Sequence, residues 1–209
     1  MSRTLVSLVV VASLCIGLVG YAAPKPKPPA SAPPVRLAAP TKQQIEAARK
    51  AGKVQVSLRT DKGTILLELD GKAAPLTVAN FENLVNAGFY NGMPFHRVER
   101  QPKPFVIQAG DPALAGRPPE GYTIPDEKSP LRHDKAGVLA MARLYRGGQM
   151  VPNSASTQFY ITLAPTPHLD GYGFTVFGRV IKGMDVVDKI RVNDKILEAT
   201  VVSKAGKTK

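Results

Sequence analysis

With 209 residues, 44% of them hydrophobic, and with 18 Gly and 19 Pro, the chain has room for one loop-rich globular domain with flanking segments and is too apolar for a disordered protein. A formal charge of +12 would by itself suggest nucleic acid or an acidic surface as partner. The excess sits at the ends: residues 1–53 carry eight Lys/Arg against one acid, residues 204–209 carry three Lys, and residues 54–203 hold 17 basic against 15 acidic side chains, which argues against nucleic acid and leaves a basic arm suited at most to weak membrane-surface contact.

Arg3 is followed by an uncharged apolar run, Leu5 to Val19, and then by the small residues Gly20, Ala22 and Ala23. This is the three-part layout of a secretory signal, expected over residues 1–22 with cleavage after Ala22. An uncleaved anchor is the alternative, because a run of this length is borderline for spanning a bilayer. Either way the expected location is the periplasm or cell envelope. Cys15 is the only cysteine and follows Leu14, not the small residue of a lipoprotein signal, so a mature chain would hold no thiol and form no disulfide.

Residues 23–52 read as a Pro/Ala-rich basic linker carrying a short helix. The stretch 24–40, PKPKPPASAPPVRLAAP, favours an extended polyproline-like spacer. Thr41 then caps a helix to about Ala51, with Gln44 completing a capping box and Gly52 stopping it. From Val54 the period becomes two: Val54, Val56 and Leu58, a turn at Asp61-Lys62-Gly63, then Ile65, Leu67 and Leu69, which predicts a hairpin with one buried face. A helix over Thr77–Ala87 follows, with Val78, Phe81 and Val85 on one stripe and Gly88 as its stop. Further strands are expected at Phe95–Val98, Phe105–Gln108, Val138–Ala142, Gln158–Leu163, Thr175–Val180 and Ile196–Val202, with a second helix at Met184–Ile190. Short strands, two helices and Gly-rich turns fit a mainly β fold, a closed antiparallel barrel with helices capping its ends.

Several other chemistries find no support. His96, His133 and His168 are far apart and lack Cys partners, so neither a metal site nor a cofactor is expected. Asp126 and Glu127 read as solvated loop charges. Ser154 and Ser156 lack the setting of a hydrolase nucleophile, and Gly147-Gly148 lacks the Lys-Ser/Thr ending of a phosphate loop.

Three segments carry a resemblance. The first is Phe95-His96-Arg97-Val98 with Phe105-Val106-Ile107-Gln108-Ala109-Gly110-Asp111. The second is Gly137-Val138-Leu139-Ala140-Met141-Ala142-Arg143. The third is Asn153-Ser154-Ala155-Ser156-Thr157-Gln158-Phe159-Tyr160-Ile161, leading to His168-Leu169-Asp170-Gly171 and Phe174-Thr175-Val176-Phe177-Gly178. In this order and spacing the sequence resembles the cyclophilin family of peptidyl-prolyl cis–trans isomerases over about Val54 to Val202. The resemblance implies a closed eight-stranded antiparallel β-barrel capped by two helices over 53–203, followed by a basic tail, 204–209.

What the resemblance implies about the site follows residue by residue. Arg97 falls on the catalytic arginine, with Gln108 orienting it. Phe105, Val106, Tyr160 and Leu169 would form the apolar slot for a proline ring, while Phe159 and Phe177 would be core. Gln158 would reach the substrate backbone. Ala142 and Arg143 match the strand edge that holds that backbone, Arg143 acting through its main chain. Phe174 stands where the family has His or Tyr, and Tyr160 where it usually has Phe, so a buried Tyr160 hydroxyl needs a partner. His168 stands where cyclosporin-sensitive members usually have Trp, and weak cyclosporin binding with retained activity is expected.

The chemistry suits these residue types. Rotation about an X–Pro bond faces a barrier of about 18–20 kcal/mol although no bond breaks. A fixed cation hydrogen-bonding the imide nitrogen favours the twisted state over the planar ones, and arginine stays charged on a rigid fork. Catalysis by Arg97 requires its guanidinium to face a concavity and not to be held by a neighbouring carboxylate. The expected partners are proline-containing unfolded or partly folded polypeptides, with the protein acting as a monomer. A catalytically weak proline-binding module and a structural domain tethered by the basic arm are the alternatives.

Overall fold

The computed structural model describes residues 37–115 and 121–204. The expected signal segment 1–22, the linker up to residue 36 and the tail after residue 204 lie outside the described residues. No described helix is long and apolar enough to cross a membrane.

The first period-two run gives β1 (Lys53–Thr60) and β2 (Gly63–Asp70), in which Val54, Val56, Leu58, Ile65, Leu67 and Leu69 are all fully buried. After α2 (Pro75–Asn86) come β3 (Met93–Val98), β4 (Val106–Ala109), β5 (Val138–Met141) and the small hairpin β6 (Tyr145–Arg146) and β7 (Gln149–Met150). Then follow β8 (Phe159–Thr162), β9 (Val176–Lys182), the one-turn α3 (Met184–Val187) and β10 (Lys195–Lys204). Eight strands close into an antiparallel barrel in the order β1-β10-β3-β4-β8-β5-β9-β2, and β6–β7 stands apart as a two-stranded ribbon. Closure leaves no unpaired sheet edge in the barrel.

The first helix, α1 (Lys42–Ala51), has the expected capping box: the Gln44 N–H donates to Thr41 Oγ1 and the Thr41 N–H to Gln44 Oε1. It docks on the barrel's own elements. Ala48 is buried, Gln44 Nε2 donates to Asn83 Oδ1 of α2 at 2.9 Å, and Leu37, Ile45 and Ala51 pack against the main core. A β-carbon at Gly71 would lie 2.1 Å from the Ala48 carbonyl oxygen, so only glycine permits that approach. The packed body therefore reaches back beyond residue 53, the expected start of the domain.

Other boundaries differ from expectation for identifiable reasons. α2 starts at Pro75 rather than Thr77, since proline suits the first helical turn. Its N-cap residue, Ala74, offers no side-chain acceptor. Glu127 supplies it from 50 residues further on, accepting the N–H of Leu76 at 2.9 Å and of Thr77 at 2.7 Å. Glu127 is thus a helix cap rather than a solvated charge, favoured there by the orphan donors and the positive end of the helix. β4 begins at Val106, one residue late. α3 stops at Val187, short of the expected Ile190, because the Arg191 N–H donates to Asp194 Oδ2 and the Val187 carbonyl accepts from Arg100 Nη2.

The strands carry two separate apolar clusters. Inside the barrel, Phe81 of α2 meets Phe159 edge-on at 5.3 Å and Phe177 at 5.3 Å, with Tyr90 beside them. Outside it, Val106, Val138, Ala140, Tyr160, Leu169 and Val176 form a second cluster, with Phe105, Leu131, Ala142 and Phe174 packed around it.

Candidate active site

Strand register sets up the outer face. Arg97 of β3 lies opposite Gln108 of β4, Gln108 opposite Tyr160 of β8, and Tyr160 opposite Ala140 of β5. One row of side chains therefore crosses four strands. Because side chains alternate along a strand, Ile107, Phe159 and Ile161 join the inner core while Val106 and Tyr160 join the outer cluster. Phe105, just before β4, is brought beside this row by reciprocal main-chain bonds: Phe105 N to Glu99 O and Glu99 N to Val106 O, both 2.9 Å.

The row floors a cleft of about 230 Å³. Of the eleven residues singled out from sequence, nine line it: Arg97, Phe105, Val106, Gln108, Ala142, Arg143, Tyr160, Leu169 and Phe174. The other two do not. Gln158 stands beside Gln108 and outside the lining, accepting from its Nε2 at 2.8 Å, so it braces that amide. His168 is exposed and stacks on Phe105, ring centroids 5.8 Å apart with planes 19° from parallel. It covers the slot's wall from outside. Two lining residues, Tyr145 and Met150, were not foreseen; the Gly147-Gly148 pair between them is a hairpin signal. A cleft of about 270 Å³ elsewhere is walled largely by charged groups, with Asp70 and Glu68 paired to Lys53 and Arg179.

The guanidinium of Arg97 faces the cleft, but a carboxylate also holds it. Its Nε donates to Glu99 Oε1 at 2.7 Å, its Nη1 to Gln108 Oε1 at 3.1 Å, and its Cζ lies 5.6 Å from the Phe105 ring centre. The expectation of a guanidinium untouched by carboxylate is therefore corrected. Period two in an extended chain puts residues 97 and 99 on one side, and the pair forms there. Its partners are 42% and 44% exposed, a setting in which ion pairs are worth only about 0–1 kcal/mol. Glu99 takes Nε alone, and Nη2 is bonded to none of the described residues. A rigid fork is thus fixed at one edge by Glu99 and Gln108 while its far end stays open to a ligand.

Tyr160 finds the partner its burial demands. His133 is fully buried; its Nε2 lies 2.8 Å from the Tyr160 hydroxyl and its Nδ1 2.8 Å from Asp170 Oδ1. Burial alone would raise the Asp170 carboxyl, but hydrogen bonds from the His133 side chain and backbone outweigh it, and the carboxyl stays below its usual range. Burial, then the Asp170 charge, pushes the Tyr160 phenol upward. An ionised Asp170 accepts from Nδ1–H, and the second ring nitrogen shares a hydrogen bond with the phenol hydroxyl, which can donate or accept. The relay ties the slot floor to the 3-10 turn Pro167–Tyr172, which carries Leu169.

Arg143 corrects a second expectation. Its side chain is only 7% exposed and pairs with both oxygens of Asp126, Nε to Oδ1 at 3.0 Å and Nη2 to Oδ2 at 2.7 Å. Nη1 and Nη2 also donate to the carbonyls of Tyr172 and Gly173, and Cζ lies 5.4 Å from the Phe174 ring. The side chain clamps the segment that presents Phe174, so it matters as much as the main chain; Asp126 is its counter-ion, not a solvated charge. The Ala142 N–H is already donated to Gln158 O at 2.9 Å, whereas the Arg143 N–H and C=O bond to none of the described residues. Among the described residues no group of three or more His, Cys, Asp or Glu is placed to hold a metal ion.

Known proteins share this chain's sequence and fold over the barrel domain. The family profile described as cyclophilin type peptidyl-prolyl cis-trans isomerase matches residues 55–206. The peptidyl-prolyl cis-trans isomerase ppi1 of Schizosaccharomyces pombe is 42% identical over 161 residues, 72% of this chain and 96% of that one. The peptidyl-prolyl cis-trans isomerase-like 1 of Mus musculus is 43% identical over 139 residues, 65% of this chain and 78% of that one. Among solved structures, a cyclophilin type peptidyl-prolyl cis-trans isomerase of Cryptosporidium parvum superposes with a TM-score of 0.63 at 27% identity, covering 73% of this chain and 99% of that one. A second structure of that protein, in the presence of the dipeptide Ala-Pro, gives a TM-score of 0.62 at 28% identity, covering 72% of this chain and 99% of that one.

Proposed function

This chain belongs to the cyclophilin type peptidyl-prolyl cis–trans isomerase family, and from that premise we propose that Arg97 drives the isomerisation from the outer-face cleft. The observation that carries the proposal is one placement: the open end of a guanidinium beside an apolar slot. A proline ring seated against Phe105, Val106, Tyr160 and Leu169 is held while the preceding carbonyl turns. As conjugation is lost, the imide nitrogen gains a lone pair, and an Arg97 N–H donates to it. That bond is stronger in the twisted state than in either planar one, which is the condition for catalysis. Gln108 and Gln158 keep the guanidinium in place, so little reorganisation is needed at the barrier. Apolar walls strengthen the contact by excluding water. The free main-chain groups of Arg143 offer a docking edge to an extended substrate.

The substrates we propose are proline-containing unfolded or partly folded chains, met by a monomer after export. Support for export comes from the apolar run Leu5–Val19 behind Arg3. N-terminal sequencing of the exported protein checks the cut after Ala22; an intact Met1 in that fraction would favour an anchor. The Arg97–Glu99 pair is the feature that favours the weaker alternative, a proline-binding module with little catalysis.

Isomerisation of a proline peptide by wild type and Arg97→Ala separates the two. Loss of a single transition-state donor costs about a hundredfold or more in rate, whereas loss of a half-exposed ion pair should cost only about 0–1 kcal/mol of stability. Equal rates for the two proteins would remove Arg97 from the mechanism.

A further inference from the structure

The cleft has a second wall that seating a proline ring leaves unused. In the β6–β7 hairpin Tyr145 lies directly opposite Met150, and Arg146 opposite Gln149. Alternation puts Tyr145 and Met150 on one face and Arg146 and Gln149 on the other. Both members of the first pair line the same cleft as Arg97 and Tyr160. Gly147 and Gly148 close the turn at φ +60° and +80°, the left-handed values that a two-residue hairpin of this kind needs at both positions.

The hairpin is pinned at its base. Val151 N donates to Leu144 O at 2.9 Å, Leu144 N to Ser154 Oγ at 2.9 Å, and Ser154 Oγ to Val151 O at 2.6 Å. Yet its apolar residues are left in water: Tyr145 is 67% exposed and Leu144 49%. Tyr172, 59% exposed, stands 6.3 Å from the Phe174 ring at the same rim. Of the seven large apolar side chains exposed among the described residues, Tyr145 lines this cleft, Leu144 is its chain neighbour, and Tyr172 lies against Phe174, which lines it too. Singly exposed apolar residues need no account, whereas a cluster at a binding cleft does.

We propose that Tyr145 and Met150 form a second, apolar subsite, which receives a bulky apolar side chain flanking the substrate proline and sets the sequence preference of the isomerase. Continuity identifies the occupant. A polypeptide with its proline ring on Tyr160 must leave the slot past Arg143, whose free N–H and C=O can pair with it. The next residues advance by about 3.3 Å each and pass the hairpin that follows Arg143 directly. No acid lies between Leu144 and Val151, so the wall suits an apolar side chain better than a basic one.

This inference rests on the slot assignment, and the two can fail separately. Isomerisation would be measured on peptides that differ only in the residue before or after proline: Leu, Phe, Gly or Lys. Wild type is expected to favour Leu and Phe over Gly by about tenfold in kcat/KM at one of these positions, the low end of what apolar pockets discriminate. Tyr145→Ser with Met150→Ser should bring that ratio close to one; Tyr145→Phe should keep it. Arg146→Ser with Gln149→Ser, on the opposite face, should leave both ratio and rate unchanged. If the double variant unfolds, Met150→Ser alone is scored by the same ratio. A wild type indifferent to both neighbours, or a preference that survives loss of Tyr145 and Met150, overturns the subsite. Arg97→Ala at full rate would overturn the slot instead.

Discussion

Phe159 and Tyr160 are consecutive in β8, yet one faces the barrel interior and the other the cleft, and the two faces are held by different means. Phe159 sits among rings, edge-on to Phe81 at 5.3 Å and to Tyr90 at 5.3 Å, where only shape and apolar area count. Tyr160 lies in a thinner apolar layer and is fixed by a directional chain through His133 to Asp170. Non-directional packing makes the barrel stable; directional bonds to residues on distant loops give the cleft its shape. One strand serves both because its side chains alternate.

The largest effect that tests this contrast belongs to the inner face. Phe159→Ala should cost about 3–5 kcal/mol of unfolding free energy, the range for a large ring removed from a packed core. Urea unfolding reads it directly, and the folded fraction should keep a near-normal kcat. A loss under about 1 kcal/mol would mean that the interior collapses easily around the gap, and the contrast with Tyr160 would vanish.

Next in size is Tyr160→Phe. The ring stays, but His133 Nε2 is left buried without a partner, at a cost of about 1–3 kcal/mol. The slot floor also loses its tether, so KM for proline peptides should rise more than kcat falls. Adding His133→Leu removes the stranded nitrogen but also strips Asp170 of its side-chain donor, so the double variant should be less stable than Tyr160→Phe alone. If Tyr160→Phe alone is neutral in stability and in KM, the relay is incidental and the two faces follow one rule.

The same contrast explains what could be read from the sequence. Val54, Val56 and Leu58 against Ile65, Leu67 and Leu69 state their hairpin openly, because alternation is local and the turn lies between them. The row Arg97, Gln108, Tyr160 was legible only through its resemblance to known motifs; strand register, not sequence spacing, lays these residues side by side. Glu127 on the N-terminus of α2, Asp126 on Arg143, and His133 under Tyr160 left no local trace. Each partner comes from a loop whose path is fixed only when the barrel closes. Lone charged or polar residues in such loops look solvated until the fold brings them a partner. Tyr145 and Met150 did leave a trace, the consecutive glycines Gly147-Gly148 between them, but a ribbon of four paired residues is too short to show alternation.

The smallest expected effect lies at Glu99, where the inner-outer contrast becomes finest. If the polar row follows the directional rule throughout, Glu99 is one more tether on the guanidinium; if Glu99 only meets Arg97 in solvent, its charge partly offsets the cation that the imide nitrogen needs. Glu99→Gln separates these roles, because glutamine keeps a carbonyl oxygen for Nε but carries no charge. An exposed pair of this kind is worth about 0–1 kcal/mol, so the change should stay within about fivefold. We expect kcat/KM to rise within that limit with KM little altered, since the fork remains braced by Gln108 at 3.1 Å. A fall of tenfold or more would show that the carboxylate positions Arg97. Glu99 would then belong to the catalytic row, alongside the two glutamines.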